Sequence, residues 1–160
     1  MTTRTLVVSL ILLLLCRCSA TEQGESLSRA EDDIREAVFR YQFKFNVSGW
    51  RESASAFFLS LEEGEDPTPE FLHRFADHRP VVRPISASTL EPGTAQILDK
   101  TTGLPGLVFR IDEIRWLTDD RAEVDGGYYE ASESATGNTY RVVKESGRWV
   151  VSGVEMLWIK

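Results

Sequence analysis

Thr139-Tyr140-Arg141-Val142-Val143-Lys144, then Glu145-Ser146-Gly147, then Arg148-Trp149-Val150-Val151 is the stretch from which the architecture is read. Two runs rich in β-branched and aromatic residues flank three residues of turn chemistry, the pattern of an antiparallel hairpin. The pattern continues upstream. Leu107 to Leu117 and Arg121 to Glu130 are strand-like runs parted by Thr118-Asp119-Asp120, Ser134 to Asn138 reads as the turn before Thr139, and the last strand extends to Ile159. Consecutive strands joined by short polar turns predict a C-terminal four-strand antiparallel meander. Apolar parity slips from Leu107, Phe109 and Ile111 to Ile114 and Trp116, which predicts a bulge near Asp112-Glu113. Gly126-Gly127 permits a second bend, and bulged, bent strands curl a sheet.

Before this region the period changes to helical. Ser28 with Glu31 forms a capping box, Glu31, Asp32 and Asp33 put negative charge in a first turn, and Ile34, Ala37, Val38, Tyr41 and Phe45 share a face. A long amphipathic helix from Ser28 to about Asn46 follows, ended by the turn-forming stretch Asn46 to Gly49. Ser53 to Leu61 reads as a strand with neither face clearly solvated. Thr68-Pro69-Glu70 opens a second, short helix with Thr68 as N-cap and Pro69 at the first helical position, and Phe71, Leu72 and Phe75 give it an apolar face. That helix stops before Pro80, Val81 to Ser88 reads as a strand, and Glu91 to Gly106 reads as a loop with a short extended piece at Ala95 to Leu98. The simplest layer solution is an α+β domain with its long N-terminal helix packed in a strongly curled antiparallel sheet.

Residues 1–20 have a different character. Arg4 and Arg17 bracket the apolar run Leu6 to Leu15, which is about half the ~20 residues that a bilayer-spanning helix needs. The run reads as the core of a signal peptide, with Cys18 and Ala20 supplying the small residues of a cut after Ala20. The expected organisation is a signal peptide at 1–20, a flexible leader at 21–27 and one domain at 28–160, exported to a periplasmic or extracellular compartment, with no transmembrane span in the mature chain. The alternative is a lipoprotein anchored through Cys16 or Cys18; Leu15 and Arg17 before those cysteines fit that pattern less well.

The chain has 160 residues, 42% hydrophobic and 27% charged, with 18 basic against 25 acidic side chains and a net charge of −7. This describes an ordinary globular domain and excludes a disordered tail, a repeat fibre and a multi-pass membrane protein. The acidic balance and the lack of clustered Lys and Arg argue against a nucleic-acid partner. Both cysteines fall within the first twenty residues, so a mature domain has no thiol chemistry.

The ending Gly137-Asn138-Thr139-Tyr140-Arg141-Val142-Val143-Lys144-Glu145-Ser146-Gly147-Arg148-Trp149-Val150-Val151 resembles the final hairpin of the nuclear transport factor two-like (cystatin-like cone) superfamily, in which a strand, a turn of the Lys-Glu-x-Gly-Arg-Trp type and a closing strand recur. The leading helix supports the resemblance. The mature chain also resembles small exported bacterial proteins of unknown function. The family's usual cluster of N-terminal helices is reduced here to one long helix and a distant short one, and its enzymes' acid/base dyad has no residue-by-residue counterpart. The resemblance implies a pocket between helix and sheet. It does not imply catalysis, since the fold hosts enzymes and non-enzymes alike.

Against that frame the chemistry-bearing residues are few. His73 and His78, five apart on a helix, point about 140° apart and cannot share a metal ion, so neither a metal nor a cofactor is expected. His73 with Asp77 is an i, i+4 pair that orients an imidazole as a general base, against the plainer reading of a solvated or capping side chain. Arg110, Asp112, Glu123, Asp125 and Arg141 alternate with apolar residues on neighbouring strands. Facing a pocket, Asp112 or Asp125 would be a base, and Arg110 and Arg141, with Tyr128, would bind a polar ligand; the plainer reading is cross-strand charge pairing on a wet face. No nucleophile elbow, phosphate loop or metalloprotease motif is present. The expectation is a non-catalytic domain that binds a small molecule or a protein partner. Its alternative is a small isomerase- or hydrolase-like enzyme with a carboxylate or His base, and a third expectation is a homodimer formed through the sheet face.

Overall fold

The protein is described by a computed structural model covering residues 3–45, 53–131 and 134–160, with side chains from residue 24 onward. It is α+β, with one long helix and a mixed sheet. The elements in order are α1 (Thr3–Phe45), β1 (Ala56–Ser60), α2 (Pro69–His73), β2 (Val81–Pro84), β3 (Ser88–Leu90), β4 (Ile97–Asp99), β5 (Gly106–Thr118), β6 (Arg121–Ala131), β7 (Ser134–Glu145) and β8 (Arg148–Ile159). The chain divides into two units, residues up to Asp33 and Ile34–Lys160. In the first unit the backbone is helical throughout its described length, and Gly24 to Arg29 are exposed.

This corrects the expected start at Ser28. The helix runs unbroken through Ser28 and through the stretch 21–27 expected as a leader, because no Pro interrupts the sequence and Gly24 alone does not stop a helix. The turn expected at 46–49 lies outside the described residues. Among the described residues no helix is long and apolar enough to cross a membrane.

Within the second unit, the end of α1 buries Ile34, Val38, Phe39, Gln42 and Phe43. The buried stripe is rotated from the expected one: Phe45 is 53% exposed, and the aromatic pair Phe39 and Phe43 takes the interior instead. Phe39 meets Phe71 and Phe75 edge-on, while Phe43 meets Phe57 and Phe109 at 5.1 and 5.0 Å between ring centroids. The short helix α2 is capped as its sequence predicts, Thr68 Oγ1 accepting from the Phe71 N–H at 3.1 Å with Pro69 behind it.

The main sheet has the order β2-β1-β5-β6-β7-β8, and β3 and β4 form a separate pair. The antiparallel, strongly curled sheet expected from the sequence is corrected on two counts. Strand β1 is parallel to both its neighbours, Ala56 opposite Val81 on one side and Gly106 on the other, so the sheet is mixed, and it is not strongly curled. All five residues of β1 are buried, as befits an interior strand covered on both faces. Phe57 and Leu59 join the larger core with α1, whereas Ala56 and Phe58 join a smaller core with Ile97 and Val108 on the opposite face. Strands β5 to β8 pair antiparallel in sequence order, with a register shift between Ile111 and Glu113 at the expected bulge. Two boundaries differ from expectation: Val81 to Ser88 bends into a short 3-10 turn at Ile85–Ala87, and β7 begins at Ser134, inside the expected turn.

Candidate functional site

Strand alternation places Thr136, Asn138 and Tyr140 of β7 on the face that meets α1, beside Tyr128 of β6 and Val154 and Met156 of β8. From α1, Tyr41, Gln42 and Phe45 close the other side, Tyr41 and Phe45 lying one turn apart with ring centroids 4.6 Å from each other. These nine residues surround a pocket of about 140 Å³. That is close to the ~150 Å³ of engineered cavities that hold a benzene molecule.

The pocket's polar groups are hydroxyls and amides. Asn138 Nδ2 donates to Thr136 Oγ1 at 3.1 Å and to Tyr140 Oη at 3.2 Å. Gln42 Nε2 donates to the Arg110 carbonyl at 3.2 Å, which ties the helix to the bulged part of β5. Gly126 makes that approach feasible, since a Cβ there would run into the Arg110 carbonyl oxygen and crowd Gln42 Nε2. Burial pushes the Tyr140 phenol above its usual range, against the opposing pull of hydrogen bonds with Gln42 and Asn138. Burial first, then the negative charge of Glu130, does the same to Tyr128, while a hydrogen bond with Ser134 opposes it. Both phenols therefore stay protonated at neutral pH and act as neutral donor–acceptors.

Of the residues singled out in the sequence, Tyr128 lines the pocket. Arg110 does not line it: its carbonyl oxygen accepts from Gln42 Nε2, and its charge bears on the Tyr140 phenol. Its guanidinium ion-pairs with Asp112 and lies 5.7 Å from the Trp158 ring, on the outer face where Trp158 covers Gly137. Asp112 is the residue skipped by the register shift of β5. Asp125 takes Arg115 at 2.5 Å and the Thr139 hydroxyl at 2.6 Å, and the Arg115 hydrogen bond holds its carboxyl below the usual range. Arg141, exposed, stands opposite Glu123 in the same outer array. His73 ends α2 and is exposed; beyond it the chain continues in turns closed by i to i+3 bonds, Ala76 N–H to the His73 carbonyl and His78 N–H to the Phe75 carbonyl, so Asp77 does not follow His73 on a continuous α-helix as expected. His78 packs against Phe43 and Phe57 with Nδ1 2.9 Å from the Pro80 carbonyl.

Sequence reasoning missed Gln42, Thr136, Asn138 and Tyr140 as site residues. Gln42 carried a signal, a polar side chain on the apolar face of an amphipathic helix. Thr136 and Asn138 were hidden because Ser134 to Asn138 has turn composition. Comparison with protein families, characterised proteins and solved structures finds no match to this chain.

Proposed function

We propose that this protein is an exported, non-catalytic ligand-binding domain of the nuclear transport factor two-like class, holding a small uncharged molecule between α1 and the sheet. The observation that carries the reading is the ring of amide and hydroxyl groups from Tyr41, Gln42, Tyr128, Thr136, Asn138 and Tyr140 around a pocket of about 140 Å³ that Phe45, Val154 and Met156 complete. Such a surface orients a neutral ligand by hydrogen bonds and takes up its apolar part by burial. Class membership rests on the closing hairpin and the helix before it. The enzyme alternative loses support because His73, Asp112 and Asp125 are not among the residues lining the pocket. Export rests on residues 1–20; mass spectrometry of the mature N-terminus separates a cut after Ala20 from an acylated Cys16 or Cys18.

Benzamide, planar and neutral with both donor and acceptor, is a suitable probe. In a protein-observed NMR titration it is expected to shift the amide resonances of Gln42, Thr136 and Asn138, and to lose that effect in Val154→Trp, which fills the pocket. Absence of these shifts at saturating probe, or equal shifts in the filled variant, overturns the reading.

A further inference from the structure

A second cavity, of about 220 Å³, lies away from this pocket, where β1, β5 and β6 meet the loop between β3 and β4. Its walls include Ala54, Pro105 and Ala131, its roof is Thr94 and Gln96, and among the described residues its charged lining residue is Glu130, itself only 8% exposed. The roof is a built feature. Glu91 N–H donates to the Gln96 carbonyl at 2.8 Å, Ala95 N–H to the Glu91 carbonyl at 3.0 Å, and Thr94 Oγ1 to the Glu91 carboxylate at 2.7 Å. Tyr129 Oη then pins this loop to the sheet through the Ala95 carbonyl at 3.2 Å.

Glu130 sits where the β6–β7 register slips between Tyr129 and Ala131, and such irregularities re-aim a side chain. A carboxylate buried beside apolar walls is costly unless positive charge or hydrogen-bond donors meet it. Glu130 is engaged within the chain, and a carboxylate with about four acceptor sites can hold more than one donor at a time. The chain's net charge of −7 adds a field that draws cations and disfavours anions. We propose that this cavity binds a small organic ammonium ion, its charged end on Glu130 and its short hydrocarbon part against Ala54, Pro105 and Ala131.

The test is an NMR titration of the full chain with n-butylammonium chloride, alongside 1-butanol as a neutral molecule of the same length. Expected are shifts of the Thr94, Gln96 and Ala131 amides with the ammonium and much weaker ones with the alcohol. In Glu130→Gln the affinity for the ammonium is expected to fall about ten- to a hundredfold, the factor that follows from losing a hydrogen bond to a charged group. Because Glu130→Gln also alters a buried position, Ala54→Leu serves as a second variant: it fills the cavity, keeps Glu130 and is expected to abolish binding. Equal binding of ammonium and alcohol, unchanged binding in a folded Glu130→Gln, or no shift of these amides overturns the proposal. Because the charge of Glu130 also bears on Tyr128 of the first pocket, the two readings are separated by Val154→Trp, which is expected to abolish the benzamide shifts and to leave those of the ammonium intact.

Discussion

Glycine shows how much a single position contributes. At Gly126 an added methyl meets the Arg110 carbonyl, fixed backbone that cannot swing away, whereas at Gly137 it meets the indole of Trp158, the mobile end of a side chain. Gly126→Ala should therefore destabilise by ~1–3 kcal/mol, the range for overpacking, and break the Gln42–Arg110 link. Gly137→Ala should cost much less in a urea melt while displacing Trp158, visible as a change in tryptophan fluorescence. Tyr140 makes a pH prediction. Its folded pKa is raised above the usual 10.0, chiefly by burial, so the folded state keeps a proton that the unfolded state gives up. The associated stability is present below pH 10 and is lost as pH rises through the folded pKa. Urea melts across this alkaline range should show a steeper fall for the wild type than for Tyr140→Phe, with the Tyr128 phenol contributing the remaining part.

At the scale of elements, β1 is the most constrained. It has strand partners on both sides and core on both faces, with Phe57 and Leu59 in one cluster and Ala56 and Phe58 in the other. The amides of Phe57 to Leu59 should exchange hydrogen only through global unfolding, while those of β8, which lies at the sheet's edge, should exchange earlier through local opening. An exchange experiment in which β8 outlasted β1 would contradict this. The sequence carried half of the information about β1: Ser53 to Leu61 lacks a wet face, which is how a strand buried on both sides reads. Its parallel partners were not legible, because nothing local distinguishes Val81 or Gly106, which lie far along the chain, as its neighbours. The Thr68-Pro69 start of α2 was legible, since capping is decided within four residues. The false start at Ser28 has the same origin. A capping box is a local signal, and a chain already helical upstream of it has no unpaired N–H groups for it to satisfy.

For the whole molecule, the α+β class followed from periodicity alone, while the mixed order of the sheet and the neutral character of the pocket did not. The expected site residues were chosen for their charge, and charge went mainly to the outer face, where Arg115 gathers Glu113, Glu123 and Asp125. The pocket was left to neutral groups brought together from separate elements, Gln42 of α1, which meets the Arg110 carbonyl, and Tyr128, Thr136 and Asn138 of β6 and β7. The placing of β1 also has a consequence for synthesis. The ribosome delivers the chain from the N-terminus, and the backbone pair that closes β1 onto β5, Ser55 with Pro105, joins residues 50 apart. Until the second of these has emerged, Phe57, Phe58 and Leu59 lack β5 on one side and the core residues Leu107, Val108 and Phe109 that it brings. The nascent chain thus carries an incompletely covered aromatic segment, the kind of sequence that chaperones grip, while the residues between Ser55 and Pro105 are made.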